Sequence, residues 1–197
     1  MGNLRSVEKA FEHIGVNADI TSEKKQIENA DGIVLPGVGA FKDAIDRLNS
    51  SGLSGLIKKQ IEEGKPFLGI CLGLQLLFEK SEEDGWHDGL AVFEGVVRRL
   101  PNKVKVPHMG WNEIEKEENK TVYLDGIKDK SRFYFVHSYY VDPVDEGLVS
   151  TKTEYGVRFT SSIARNKLFA CQFHPEKSGL VGLELLKNFM KVVGADS

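Results

Sequence analysis

The sequence predicts an α/β fold: a mostly parallel central sheet with helices on both faces, extended by antiparallel strands. Three observations predict it. The first half alternates helix-like and strand-like patterns. Two short apolar runs in that half end at glycine turns, as strands buried on both faces do. The second half holds several β-rich segments joined by short polar turns, the pattern of antiparallel neighbours. At 197 residues the chain fits one domain, 1–197, and should bury roughly 70% of its unfolded surface.

The elements follow in order. Leu4, Val7, Phe11 and Ile14 fall at helical spacing, with Asn3 as N-cap and Gly15 as stop. Val16 to Thr21 reads as a strand. Asp31 to Leu35 reads as a buried parallel strand running into Pro36-Gly37. Phe41 to Glu63 reads as helix, broken near Ser50-Ser51-Gly52. Pro66 to Ile70 is a second buried strand, and Leu72 to Lys80 a helix. Strands are expected at Val92–Leu100, Trp111–Glu115, Phe133–Val141, Leu148–Thr153, Val157–Ile163 and Leu168–Phe173. Leu186, Phe189, Met190 and Val193 mark a closing helix, with Ser178 as its cap.

Composition narrows the function. The charge is nearly balanced, 26 Lys+Arg against 29 Asp+Glu, with no basic excess for nucleic acid. Apolar runs fall well short of the ~18 residues that span a bilayer. Two cysteines, Cys71 and Cys171, are too few for a disulfide framework or a thiolate zinc site, and the usage suits the cytoplasm. No metal or cofactor is expected.

Gly69-Ile70-Cys71-Leu72-Gly73 stands between an apolar strand and an apolar helix. This is the layout of a nucleophile elbow, with Cys in the place hydrolases often give to Ser. Small residues two before and two after permit the tight turn. The helix N-terminus favours thiolate, and the amide of Leu72 is placed to hold an oxyanion. Spacing alone fits a buried structural cysteine equally well. Cys171 has no such elbow and reads as core.

A thiolate nucleophile needs a proton partner. His13 reads as solvated and His87 as loop. His174 ends the Leu168–Phe173 strand, at the sheet edge where the elbow also lies. Glu176 follows two residues on and can hold one ring nitrogen, leaving the other for sulfur. A strand-ending turn is the plainer alternative. The zinc-deaminase pattern needs a later Cys-x-x-Cys, and no Cys follows Glu176. The Pro36-Gly37-Val38-Gly39 loop can bring backbone amides to a substrate. It is neither a dinucleotide fingerprint nor a P-loop.

Together these segments resemble the class I glutamine amidotransferases. Gly-Ile-Cys71-Leu-Gly-Leu-Gln75 is similar to the family's nucleophile segment, and Gln-Phe-His174-Pro-Glu176 to its base segment. The resemblance extends through the Pro36–Gly39 loop, Pro107 to Asn112 and Tyr134 to Tyr139, and covers essentially the whole chain. It implies the family fold, a flavodoxin-like α/β sheet, and glutamine as substrate. Cys71, His174 and Glu176 would form the catalytic set, with oxyanion donors from Leu72, Gly37, Val38 and Gly39. Gln75, Glu83, Ser138 and Tyr139 would hold the substrate's amino-acid end, although Glu83 also fits a solvated charge. His137 reads as structural. The Pro107–Asn112 and Tyr134–Tyr139 segments are similar to glutaminase subunits that feed a barrel-fold cyclase in histidine biosynthesis. That implies a heterodimer in which ammonia is channelled, with His108, Met109, Trp111 and Asn112 at the interface. For Trp111 a buried strand residue is an equal alternative.

Two further expectations follow. Family members begin with a strand before the Met-Gly-Asn-Leu-Arg segment, whereas this sequence starts at Met1, directly before the first helix. Without that strand, backbone groups beside the strand ending at Pro36 would lack partners, each costing ~1–3 kcal/mol if buried. Two competing functions stay open: a paralogous glutaminase serving another synthase, and a non-catalytic module of the same fold.

Overall fold

The computed structural model describes residues 4–118 and 121–194. Its helices are α1 (Leu4–His13), α2 (Lys24–Asn29), α3 (Phe41–Ser50), α4 (Leu53–Glu62), α5 (Leu72–Gln75) and α6 (Gly179–Val193). Its strands are β1 (Ile33–Gly37), β2 (Phe67–Cys71), β3 (Phe78–Ser81), β4 (His87–Asp88), β5 (Phe93–Arg99), β6 (His108–Glu113), β7 (Glu115–Lys116), β8 (Arg132–His137), β9 (Tyr139–Pro143), β10 (Val149–Glu154), β11 (Arg158–Arg165) and β12 (Leu168–Cys171). The proposed Asn3 cap lies outside the described residues. No described helix is long and apolar enough to cross a membrane.

The main sheet runs β1-β2-β12-β11-β9-β5-β3-β4, with β10 on β11 and β7 on β10; β6 and β8 pair separately. Parallel pairing joins β1 to β2, β2 to β12 and β3 to β5, and the other pairs are antiparallel. The sheet is therefore mixed rather than mostly parallel. The α/β alternation of the first half supplies the parallel pairs, and the hairpin-rich second half supplies the rest.

Strand alternation divides the core in two. On β2 and β12, Leu68, Ile70, Phe169 and Cys171 face one cluster with Val7 and Phe11 of α1 and Leu185 and Phe189 of α6. Phe67, Leu168 and Ala170 face the other, with Phe41 and Ile45 of α3 and Leu56 and Ile57 of α4. Each central strand is thus covered on both faces, which is why both read as near-continuous apolar runs.

Three predicted elements differ. Val16–Thr21 is not a strand; it pairs with no described strand, and β1 pairs only with β2 among the described residues. The helix expected to reach Lys80 stops at Gln75, because Phe78–Ser81 instead pairs with β5 and β4. The Phe133–Val141 strand splits at Ser138, sending β8 to β6 and β9 to β5 and β11. His87 sits in the two-residue β4 rather than in a loop.

Candidate active site

The site forms where β2 and β12 end side by side. Cys171 pairs with Ile70 in parallel register, so the chain leaving β12 toward His174 passes beside Cys71. On the opposite flank, Gly37 is the register partner of Cys71, and the Gly37-Val38-Gly39 turn lies next to the sulfur's strand. Val38 is 53% exposed, so this turn is open to solvent.

Cys71 takes φ 55° and ψ −107°, a conformation L-residues rarely adopt. Such backbone strain persists only where packing enforces it. Here α5 presses on β1: a Cβ on Gly73 would stand 1.8 Å from the Leu35 carbonyl oxygen, and one on Gly37 would stand 2.7 Å from Leu72 Cβ. The elbow therefore depends on missing side chains on both sides of the crossing. The one-turn α5 supplies much less dipole than the longer predicted helix.

His174 and Glu176 are buried, at 1% and 0% side-chain exposure, and His174 Nδ1 lies 2.8 Å from Glu176 Oε1. Burial pulls the imidazole toward neutrality, but its interactions with Cys71 and with Glu176 outweigh that and raise its pKa to about 9. At neutral pH the ring is therefore cationic, between a carboxylate and a sulfur. Cys171 is fully buried, and burial pushes its thiol well up, as befits a core residue.

Ser178 was expected to cap α6, yet its side chain caps nothing. Its hydroxyl donates to the His174 carbonyl at 2.6 Å and accepts from Tyr134 N–H at 3.0 Å. His174 N–H in turn donates to the Tyr134 carbonyl at 2.9 Å. The imidazole's backbone is thereby pinned to β8. Gln172, which sequence reasoning left without a role, is wholly buried and its Nε2 donates to Cys71 Sγ at 3.5 Å. Polar character inside an apolar strand was the signal for Gln172. For Ser178 the helix-start pattern concealed the actual partners.

Gln75 is 5% exposed, and its Nε2 donates to the Tyr139 carbonyl at 2.9 Å and to Gln172 Oε1 at 3.0 Å. Both amide hydrogens are thus used inside the protein, leaving only Oε1 for a ligand. Glu83 is not a solvated charge. Its Oε2 accepts from Phe41 N–H, the first residue of α3, at 2.8 Å. Burial pushes its carboxyl up, and the Phe41 N–H opposes this. Tyr139 is half-buried, and burial with the nearby Glu83 and Asp84 carboxylates raises its hydroxyl pKa. Ser138 lies between β8 and β9, where its carbonyl accepts from Leu100 N–H at 2.9 Å.

His108 does not face outward as expected. It is 3% exposed, stacked on Tyr155 and Phe135 with ring centroids 3.9 and 4.9 Å away. His137 Nδ1 lies 2.8 Å from the Tyr139 carbonyl, which can only accept, so Nδ1 carries the proton. His137 Nε2 then accepts from His108 Nδ1 at 2.9 Å, and His108 Nε2 accepts from Asn112 Nδ2 at 3.3 Å. Burial, above all, lowers the two pKa values to about 3 for His137 and about 4 for His108. Both rings are neutral and structural. Met109 and Trp111, by contrast, are 62% and 55% exposed, so Trp111 is no buried strand residue. Among the described residues no group of three or more His, Cys, Asp or Glu is placed to hold a metal.

A strained cysteine at a strand end, an imidazole beside it and a buried carboxylate behind that imidazole can carry out acyl transfer from an amide. In agreement, the family described as glutamine amidotransferase class-I matches residues 2–193, and the chain belongs to that family. It is 52% identical over 193 residues to the imidazole glycerol phosphate synthase subunit HisH of Caldanaerobacter subterraneus subsp. tengcongensis, covering 98% of this chain and 95% of that one. It is also 52% identical over 192 residues to the HisH subunit of Aquifex aeolicus, covering 97% and 92%. Among solved structures, a glutamine amidotransferase superposes with a TM-score of 0.75 at 20% identity, covering 98% of this chain and 95% of that one. The PurLQS structure from Thermotoga maritima gives 0.76 at 17%, covering 96% and 92%. These two likenesses concern the fold.

Proposed function

We propose that this chain is the glutaminase subunit of imidazole glycerol phosphate synthase, acting in the cytoplasm in histidine biosynthesis. It cleaves glutamine to glutamate and ammonia and passes the ammonia to a barrel-fold cyclase subunit. There the ammonia enters imidazole glycerol phosphate, with an aminoimidazole carboxamide ribonucleotide as co-product. The observation that carries the chemistry is the His174 imidazole held between Glu176 and Cys71 at the elbow.

The Cys71 thiolate attacks the side-chain carbonyl carbon of glutamine. Amides of Leu72 and of the Gly37-Val38-Gly39 turn receive the resulting oxyanion. Collapse breaks the C–N bond, and His174 gives its proton to the departing ammonia. The γ-glutamyl thioester remains on Cys71. His174, now neutral, takes a proton from water, whose oxygen attacks the thioester and releases glutamate and the thiolate. Glu176 keeps the ring oriented and supports its positive charge throughout. Gln75 Oε1, Glu83, Ser138 and Tyr139 bound the space for the substrate's amino-acid end.

Ammonia freed into water is protonated and loses its nucleophilicity, so the acceptor must dock over the site. The exposed Met109 and Trp111 on β6, with Asn112 beside them, suit that surface. The test is ammonia transfer in the reconstituted pair. Cys71→Ala should abolish turnover with glutamine while the complex still works with added ammonium salt. Glutamine-dependent turnover by the variant would overturn the assignment.

A further inference from the structure

Gln172 has no part in the steps above, yet with His174 it is a second buried side chain held against the sulfur. Its backbone N–H is committed to the Ser161 carbonyl at 2.9 Å. The orientation of its amide is fixed by a chain that starts at a carbonyl. Tyr139 O can only accept, so the Gln75 atom facing it is Nε2. That same Nε2 donates to Gln172, so the Gln172 atom it meets is Oε1. The atom left for Cys71 Sγ is then Nε2, a donor, at 3.5 Å. All of this lies inside the protein, with Gln172 at 0% exposure and Gln75 at 5%.

An N–H aimed at sulfur favours thiolate over thiol, because hydrogen bonds to a charged partner are the stronger ones. We propose that Gln172 is the second support of the Cys71 thiolate, donating from the protein interior while His174 acts from the other side. Gln75 and the Tyr139 backbone serve as positioning groups that keep its amide the right way round. This rests on Cys71 being the nucleophile.

The test is the pH profile of Cys71 alkylation by iodoacetamide in the full chain, the adduct mapped by mass spectrometry and folding checked by circular dichroism. Gln172→Met keeps the length and removes the donor. Gln172→Glu keeps an acceptor for Gln75 and turns an oxygen on the sulfur. Both should alkylate about tenfold more slowly at pH 7, with the profile displaced upward by about one pH unit, the Glu variant further than Met. A folded variant with the wild-type profile would reduce Gln172 to packing and overturn the proposal. Should Gln172→Glu fail to fold, Gln172→Met decides alone. The readout needs no glutamine. A wild-type complex that never cleaves glutamine would therefore sink the functional reading without touching this result.

Discussion

His174 Nδ1 meets Glu176 Oε1 at 2.8 Å with both side chains sealed from solvent, so the ring's charge is set by its two neighbours rather than by water. Glu176 raises the imidazole, so replacing it with Gln lowers the ring's pKa toward its ordinary value. The alkaline limit of glutaminase activity, where the imidazolium is lost, should therefore move to lower pH. Activity at neutral pH should fall about 10- to 1000-fold. A pH profile of kcat/KM in the complex checks both.

Ser178 should matter to stability and to rate together. Ser178→Ala deprives the Tyr134 N–H and the His174 carbonyl of their partner at a buried position. The expected cost is about 1–3 kcal/mol, read from urea unfolding. Because the pinned backbone carries the imidazole, kcat should drop more than KM rises.

Gly73→Ala should be among the most damaging single changes. Its Cβ would collide with the Leu35 carbonyl at 1.8 Å, a backbone atom that cannot swing away. Either α5 or β1 must shift, at a cost of about 3 kcal/mol or more. The expected result is a much lower melting temperature and loss of rapid Cys71 alkylation.

The two neutral histidines predict acid sensitivity. Both have folded pKa values, about 3 for His137 and about 4 for His108, below the unfolded value near 6.5. Below pH 6.5 the unfolded chain binds protons that the folded chain refuses, so stability falls as pH falls. His137 alone should contribute about 1.4 kcal/mol per pH unit between 6 and 4. Urea midpoints across that range measure the slope, and His108→Phe, which retains the stack on Tyr155, should make it shallower.

Trp111→Ala should separate folding from association. Trp111 is 55% exposed and touches Tyr134 only edge-on, at 6.2 Å between centroids. Stability should change by less than about 1 kcal/mol, whereas affinity for the proposed cyclase partner should fall at least about tenfold. Thermal melts and titration calorimetry report the two separately.

The features legible in the sequence were those written in local pattern. β1, β2, the α3–α4 break at Gly52 and the Cys71 elbow all rest on short apolar runs and glycine turns. What depended on distant partners was not legible. Leu72 to Lys80 is apolar enough for one long helix, but pairing of Phe78–Ser81 with β5 ends it. Val16–Thr21 has strand composition but pairs with no described strand. His108 shares a strand with Trp111, yet Tyr155, from far along the chain, closes over it. The contacts of Gln172 and Ser178 likewise need the fold, since each bonds atoms brought in by other strands.

The most direct measurement is covalent capture. Incubation with a glutamine-like electrophile, followed by peptide mass spectrometry, should place a single adduct on Cys71, and excess glutamine should slow its formation. Cys71→Ala should remain unmodified. An adduct on another residue, or labelling that glutamine leaves unchanged, would contradict the assignment of Cys71 as the attacking group.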